Sequence, residues 1–202
     1  LSPGSTYYVR SYAVNEIGVA YGEEISFTTL AILPTMGISS VSGVTSSSAT
    51  ISSSITSDGG ATVTERGVVY STSSNPTTSN SKIVSGSGLG EFKCTINSLS
   101  YATTYYVRAF AKNSAGTTYG SEVTITTLAI LPTMGTSSVS DITSSSAVVS
   151  SKVASNGGAT VTERGIVYST SSNPTTSNSK IVSGSGLGSF ECKLTSLNYA
   201  TT

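Results

Sequence analysis

Side chains that carry acid–base or nucleophilic chemistry are few in this chain and lie far apart. The 202 residues contain no histidine, so Ser-His-Asp and Cys-His arrangements are excluded. Asp58, Glu65, Glu91 and Glu122 fall in different predicted turns and strands, and no two of them are placed as a general acid and its base. We therefore expect no catalytic residue, no cofactor and no enzymatic activity.

Metal and phosphate sites also lack their usual ligands. Cys94 and Cys192 are the only cysteines and lie 98 positions apart, which excludes a compact zinc cluster. No Asp-x-Asp pattern offers the clustered carboxylates that calcium needs. The stretch 86–90, Gly-Ser-Gly-Leu-Gly, is similar to a phosphate-binding loop, but no Lys-Ser/Thr pair follows it. We expect no metal site and interpret 86–90 as a hairpin tip.

Composition and net charge limit the kinds of partner that the chain can be expected to bind. Lys and Arg together number 10, Asp and Glu together number 10, and the formal net charge is +0. Such a chain has no electrostatic attraction for a phosphate backbone, so nucleic acid is not an expected partner. No apolar run approaches the roughly 18 residues of a membrane span, and residues 1–10 lack the regions of a signal peptide. We expect no membrane insertion in this window.

A tandem repeat organises the sequence. Residues 30–104 align without a gap to residues 128–202, an offset of 98, and only 16 of the 75 positions differ. Residues 1–29 continue the same register into residues 99–127. We therefore expect the C-terminal two strands of a first module in 1–29, a complete module in 30–127, and a third module lacking its last two strands in 128–202.

Alternating apolar residues within the repeat predict strands. Phe92, Cys94 and Ile96 are apolar and recur as Phe190, Cys192 and Leu194, whereas the residues between them change freely from copy to copy. Ala49, Ile51 and Ile55 alternate in the same way. Turn sequences such as Asp58-Gly59-Gly60 separate these runs. Short strands at regular spacing, with no helical period, predict an all-β chain of β-sandwich modules.

Residues 1–15, Leu-Ser-Pro-Gly-Ser-Thr-Tyr-Tyr-Val-Arg-Ser-Tyr-Ala-Val-Asn, resemble the most recognisable segment of fibronectin type III domains. The resemblance implies an immunoglobulin-like sandwich and a tyrosine corner, in which Tyr7 and Tyr105 return their hydroxyls to the backbone just upstream. Two departures stand out, because Tyr101 and Tyr199 replace the proline and the chain has no tryptophan. The loop shape before Tyr105 is therefore left open.

A second resemblance concerns the setting of the protein. The stretch 63–72, Val-Thr-Glu-Arg-Gly-Val-Val-Tyr-Ser-Thr, followed by Asn75-Pro76-Thr77-Thr78, is similar to repeats of large bacterial surface and secreted proteins. By that analogy the chain is expected to be extracellular, at the cell surface.

Aromatic and arginine side chains alternate on the predicted sixth strand, where they would face outward. Such a ladder is suited to contact with a glycan or protein receptor, because aromatic residues and arginine are favoured at interface centres. The alternative is pairing with neighbouring strands of the same sheet. The candidate partner-contact residues are Tyr8, Arg10, Tyr12, Tyr106, Arg108 and Phe110.

The linkers between modules are apolar and end in proline, unlike flexible Gly- and Ser-rich spacers. We expect neighbouring modules to stack with limited bending through six junction residues: Ile32, Leu33, Pro34, Ile130, Leu131 and Pro132. The expected partners are thus neighbouring modules of the same array or other copies of the chain. The third module either continues in a longer array or is completed head to tail by residues 1–29 of another copy.

These features together predict a non-catalytic repeat segment of a large extracellular surface protein, acting as an adhesin stalk or structural fibre. Three alternatives stay open. The chain would serve equally as a spacer in a secreted polysaccharide-degrading enzyme, as a fibre or decoration module of a virion, or as a self-assembling filament subunit completed by strand exchange.

Overall fold

The computed structural model describes residues 1–197, and the last five positions, which include Tyr199, lie outside the described residues. Every regular element in 1–197 is a β-strand. The chain forms two compact units, Leu1–Thr127 and a second that begins at Leu128. None of the described residues forms a helix of the length and apolarity that a membrane crossing requires.

The first unit opens with an antiparallel hairpin of β1 (Thr6–Asn15) and β2 (Gly18–Thr28). Its register runs from Thr6 opposite Thr28 to Asn15 opposite Gly18, with a bulge between Arg10 and Tyr12. The carboxamide oxygen of Asn15 accepts the amide protons of Ile17 and Gly18, which closes the tight turn. The hairpin is the counterpart, 98 residues earlier, of the last strands of the next module.

Residues 30–127 of the first unit form a complete two-sheet sandwich. One sheet has the order β3-β5-β4 with β8 on the other side of β5, and the second has the order β10-β9-β6-β7 with β11 also on β9. All pairs are antiparallel. The strands are β3 (Thr35–Met36), β4 (Ser40–Ser42), β5 (Ala49–Ser57), β6 (Glu65–Ser71), β7 (Ser81–Val84), β8 (Gly90–Ile96), β9 (Thr104–Asn113), β10 (Gly116–Tyr119) and β11 (Val123–Thr126).

The core lies between these two sheets and confirms the strand faces predicted from alternation. Ala49, Ile51 and Ile55 of β5 are buried in one cluster with Phe92, Cys94 and Ile96 of β8. The facing sheet contributes alternate residues of β9 and two further side chains: Val107, Ala109, Ala111, Val68 and Ile125. A polar residue at any of these inward positions would be buried without a partner, which is why the period of two persists.

The turn between β5 and β6 is built from the residues predicted for it. Gly59 and Gly60 have φ of 71° and 82°, in the left-handed region that glycine enters without a steric penalty. The carboxylate of Asp58 accepts the amide proton of Gly60 at 2.9 Å. The corresponding glycines of the second unit, Gly157 and Gly158, have the same sign of φ.

The second unit repeats the first part of this plan. One sheet has the order β12-β14-β13 with β17 beside β14, and β15 pairs with β16. Val153, Val161, Phe190 and Cys192 form its buried cluster. The strands are β12 (Thr133–Met134), β13 (Ser138–Ser140), β14 (Ala147–Ser155), β15 (Gly165–Tyr168), β16 (Ser179–Val182) and β17 (Gly188–Leu194).

Candidate functional site

Both candidate corner tyrosines bond to the backbone five residues upstream. The hydroxyl of Tyr7 accepts the amide proton of Ser2 at 2.6 Å, and that of Tyr105 accepts the amide proton of Ser100 at 3.0 Å. This is the geometry of a tyrosine corner. Each bond pins the loop that leads into β1 or β9, so the corner is a structural element.

A threonine that no sequence pattern indicated adds two hydrogen bonds to the loop of each tyrosine corner. The hydroxyl of Thr127 donates to the carbonyl of Ser100 at 2.6 Å and accepts the amide proton of Thr103 at 2.9 Å. Thr29 makes the same two bonds, to the Ser2 carbonyl and from the Ser5 amide. The loop before Tyr105 therefore keeps the hydrogen bonds of the loop before Tyr7, although Tyr101-Ala102 replaces Pro3-Gly4.

The arginines of the proposed contact ladder are held within their own sheet. Arg108 donates its Nε to the carbonyl of Gly120 at 3.1 Å, and its guanidinium lies 4.8 Å from the ring centre of Tyr119. Arg10 makes the equivalent bond to Gly22 at 3.0 Å and lies 5.0 Å from the ring of Tyr21. The guanidinium groups of Arg108 and Arg10 thus bond within their own sheet, whereas the hypothesis of a contact ladder assigned them to a partner.

Phe110 departs from the expected ladder because it is only 1% exposed. Its position on β9 faces away from the inter-sheet core, but the loop 72–80 reaches from β6 to β10 and so crosses β9 on that side. Tyr119 on β10 accepts the amide proton of Thr78 at 2.9 Å, and the Glu122 carboxylate accepts that of Asn75. Pro76 within the loop is also buried.

The burial of Phe110 corrects its assignment as a partner-contact residue. The Lys82 ammonium lies 5.9 Å from the centre of the Phe110 ring, and the loop 72–80 bonds to Tyr119 on the neighbouring strand, so this ring is not available to a partner. Tyr106 and Arg108 remain half-buried, and in the hairpin Tyr8 and Tyr12 are 70% and 71% exposed. Sequence alternation placed Phe110 on the outer face, but it carries no signal for a distant loop that folds back over that face.

Main-chain hydrogen bonds hold the first candidate junction. The amide of Ile32 donates to the carbonyl of Gly59 at 2.9 Å. The side-chain amide of Asn113, buried at 3% exposure, donates to the carbonyls of Ile32 and Asp58, both at 2.7 Å. Pro34 is buried, whereas the side chains of Ile32 and Leu33 are 55% and 45% exposed. The linker is fixed here chiefly through its backbone.

The hairpin contributes to the same junction. The amide of Gly4 donates to the carbonyl of Leu30 at 3.3 Å, and the Pro3-Gly4 backbone lies directly against Gly60. A Cβ on Gly60 would collide with the Pro3 carbonyl, and a Cβ on Gly4 with the Gly60 carbonyl. We call this set of contacts, made by Pro3, Gly4, Ile32, the turn 58–60 and Asn113, the junction contact.

The second set of junction residues, Ile130, Leu131 and Pro132, makes one backbone hydrogen bond equivalent to that between Ile32 and Gly59. The amide of Ile130 donates to the carbonyl of Gly157 at 2.8 Å. Ile130 is 41% exposed, Leu131 is 85% exposed and Pro132 is exposed. Packing of these side chains against a neighbouring module stays a prediction.

Acidic and thiol groups have structural neighbours. Glu65 pairs with Lys82 at 2.7 Å, and Glu163 pairs with Lys180 at the same distance. Within residues 1–197, no three His, Cys, Asp or Glu side chains form a group able to hold a metal ion.

Cys94 and Cys192 are free, buried thiols, as predicted for core residues. Burial raises the pKa of the Cys94 thiol, although Ser85, Val68 and Arg66 act in the opposite direction.

The glycine-rich loop 85–90 is organised around an arginine. Arg66 donates its terminal nitrogen to the carbonyls of Gly88, Leu89 and Gly90, at 3.1, 2.7 and 3.2 Å. A loop that cradles phosphate presents amide protons to the anion. This loop instead directs three carbonyl oxygens at the Arg66 guanidinium. The interpretation of 86–90 as a hairpin tip is wrong, because β7 pairs with β6 and β8 pairs with β5, so the loop connects the two sheets.

No family model matches the sequence, and no curated protein matches it. Similar solved structures include domains d3–d4 of the rat CD45 extracellular region. The match covers 63% of this chain, with 15% sequence identity and a TM-score of 0.47. The match to the FN1–FN3 domains of chicken CNTN1 covers 100% of this chain and 68% of the CNTN1 chain, with 19% sequence identity and a TM-score of 0.37. The match to the sensor domain of the anti-sigma factor RsgI4 of Pseudobacteroides cellulosolvens covers 48% of this chain and 96% of the sensor-domain chain. Its sequence identity is 25% and its TM-score is 0.38.

The chain spans 66% of the length of the CD45 fragment, a little under two thirds. The fold follows from the strand order and the shared core of residues 30–127. The described part of the chain is all-β, and residues 30–127 form a complete two-sheet β-sandwich.

Proposed function

We propose that this chain is a non-catalytic repeat segment of a large extracellular surface protein, in which it acts as an adhesin stalk or structural fibre. The observation that carries the proposal is the junction contact. It joins a hairpin of one repeat to the complete sandwich of the next through main-chain groups. A stalk needs successive modules that resist bending, because bending would shorten the reach of whatever the array presents.

The chemistry of the junction contact supports stiffness. Hydrogen bonds at 2.7–2.9 Å fix the linker at Ile32, and two of the carbonyls share one buried carboxamide. Modules joined by small interfaces usually move relative to one another. Here Gly4 and Gly60 allow backbone to touch backbone, so the linker has few conformations left to sample.

Nuclear magnetic resonance relaxation of the full chain tests the stiffness. We expect residues 6–28 to tumble with residues 35–126 in the wild type. Gly60→Ala should release the hairpin into faster independent motion, because its Cβ meets the Pro3 carbonyl. Gly88→Ala is the matched control, since Gly88 has a similar φ of 79° and no atom within 4 Å of its added Cβ. Independent hairpin motion in the wild type would contradict a stiff junction.

Surface exposure needs a separate test in the source cells. An antibody raised against the chain should label intact cells, and external protease should remove that label. Labelling that appears only after lysis would exclude the extracellular stalk. If the chain is instead found joined to a secreted polysaccharide-degrading catalytic domain, the same stiff segment acts as a spacer in that enzyme.

A further inference from the structure

A shallow depression at one end of the complete sandwich lies where β6 ends and β7 begins. Its volume is about 600 Å³. Tyr70 and Tyr105 form its aromatic part, and both also pack against the inter-sheet core. Their rings meet edge to face with centres 6.3 Å apart. The hydroxyl of Tyr105 accepts the Ser100 amide proton, so the core and this bond fix the aromatic wall in place.

Short polar side chains form the rest of the depression. They are Ser71, Thr72, Ser79, Asn80 and Ser81. The carboxamide oxygen of Asn80 accepts the Thr77 amide proton at 2.9 Å, which leaves its NH₂ group as a donor. Among residues 1–197, the hydroxyls of Thr72, Ser79 and Ser81 have no protein hydrogen-bond partner, and each is exposed. The site therefore combines a fixed aromatic wall with several free donors and acceptors.

The charge of the lining restricts the class of ligand. The seven described side chains that line the depression include no Asp, Glu, Lys or Arg. An anionic or cationic ligand would meet no opposite charge here. A neutral molecule with many hydroxyls and an apolar C–H face suits both parts of the site. Carbohydrate has this chemistry.

Five counterparts of these side chains help to line a depression in the second unit, together with eight residues from the segments 142–147 and 194–197. Tyr168, Ser169, Thr170, Asn178 and Ser179 are the counterparts, 98 residues later, of Tyr70, Ser71, Thr72, Asn80 and Ser81. The polar half of the site is therefore a local product of this stretch of sequence.

The depression residues fall in a segment that is unchanged between the two repeats, as are other segments such as 39–42 and 45–49. Residues 69–90 and 167–188 are identical at all 22 positions, and many of these side chains are exposed. The outer face of the β5–β8 sheet, in contrast, differs at six positions: Thr50, Ser54, Thr56, Glu91, Lys93 and Thr95 become Val148, Lys152, Ala154, Ser189, Glu191 and Lys193. Exposed residues of the depression have stayed the same while another exposed face has changed.

We propose that the depression lined by Tyr70, Asn80 and Ser81 is a binding site for a neutral carbohydrate, repeated once per module. The sugar ring lies against the tyrosine wall, and the free hydroxyls and the Asn80 amide bond to its hydroxyl groups. Ser71 of the depression pairs with Tyr106 of the ladder, but Tyr106, Arg108 and Phe110 do not line the depression. It does not depend on the stalk function, since a stiff array that binds no sugar would still be a stalk.

Titration of the full chain with two neutral probes, cellohexaose and maltohexaose, tests the site by saturation-transfer nuclear magnetic resonance. We expect at least one hexasaccharide to receive transfer from tyrosine protons at millimolar concentration. The use of β- and α-linked probes separates the two main classes of neutral glucan. The absence of transfer to both hexasaccharides would overturn the proposal.

Substitution of the free hydroxyls localises the binding. The test variant removes two hydroxyls from each repeat: Thr72→Val, Ser81→Ala, Thr170→Val and Ser179→Ala. Loss of two hydrogen bonds per site should weaken binding about tenfold. The matched control removes four hydroxyls from β4 and β13: Ser40→Ala, Ser42→Ala, Ser138→Ala and Ser140→Ala. Thermal unfolding checks that both variants fold. Equal affinity of the test variant and the wild type would show that sugar binds elsewhere and overturn the proposal.

Discussion

The side-chain amide of Asn113 donates to the carbonyl of Ile32 at 2.7 Å, across 81 residues of sequence. The same nitrogen donates to the carbonyl of Asp58 at 2.7 Å, while the side-chain oxygen accepts the amide protons of Ala115 and Gly116. One buried residue therefore joins the linker, the β5–β6 turn and the β9–β10 turn.

Asn113→Asp should destabilise the complete module by about 2 kcal/mol or more, because two carbonyls lose their donor and a buried charge replaces it. The turn-capping oxygen is retained in this variant. Urea unfolding of the full chain measures the loss. Asn15→Asp is the matched control, since the side chain of Asn15 makes only the turn-capping bonds among residues 1–197. Equal unfolding of the module in both variants would show that the bridge adds nothing to stability.

Tyr105→Phe should cost about 1 kcal/mol, because the amide proton of Ser100 loses its acceptor while the ring stays in place. Chemical denaturation gives the difference in unfolding free energy. Tyr101→Phe provides the comparison, since Tyr101 is 41% exposed and its hydroxyl bonds to none of the residues 1–197. A corner that stabilises the fold requires the first substitution to cost clearly more than the second.

Phe110→Ala should destabilise the module by about 3–5 kcal/mol, as expected for a buried aromatic residue. Its counterpart Tyr12 is 71% exposed in the hairpin, and Tyr12→Ala should change the unfolding free energy of the module by less than about 0.5 kcal/mol. Thermal unfolding of the two variants makes the comparison. A Phe110→Ala protein as stable as the wild type would contradict a contribution of this buried ring to the fold.

The raised pKa of the Cys94 thiol predicts a pH dependence. Above about pH 8.5 the unfolded chain releases the thiol proton while the folded module retains it, so the unfolding free energy should fall as pH rises. Cys94→Ala should flatten this decline. Urea unfolding at several pH values above neutrality measures it, and identical slopes for wild type and variant would contradict the prediction. The folded thiol should also resist alkylation, since thiolate is the reactive form.

The sequence was sufficient for the strands and their inward faces. Ile51 and Cys94 alternate with polar residues, and both are buried where the alternation placed them. A strand reports its own faces because successive side chains point in opposite directions. The glycine pair 59–60 likewise predicted its turn, since few other residues tolerate positive φ.

The candidate sites were less predictable. Alternation placed Phe110 and Arg108 on one outer face but could not show that Phe110 is buried there, with Lys82 over its ring. Nor did any local pattern mark Asn113, whose bonding partners are 55 and 81 residues away. Each of these features depends on segments that meet only after the two sheets have packed.

By itself, the sequence determined the repeat of 98 residues, the all-β character and the position of the corner tyrosines, because all three are recorded in local spacing and residue type. The tertiary structure alone decided which outer-face residues stay accessible, how the linker is held and which side chains line the depression at Tyr70. These properties are set by contacts between distant segments, and spacing along one strand carries no information about what packs over it.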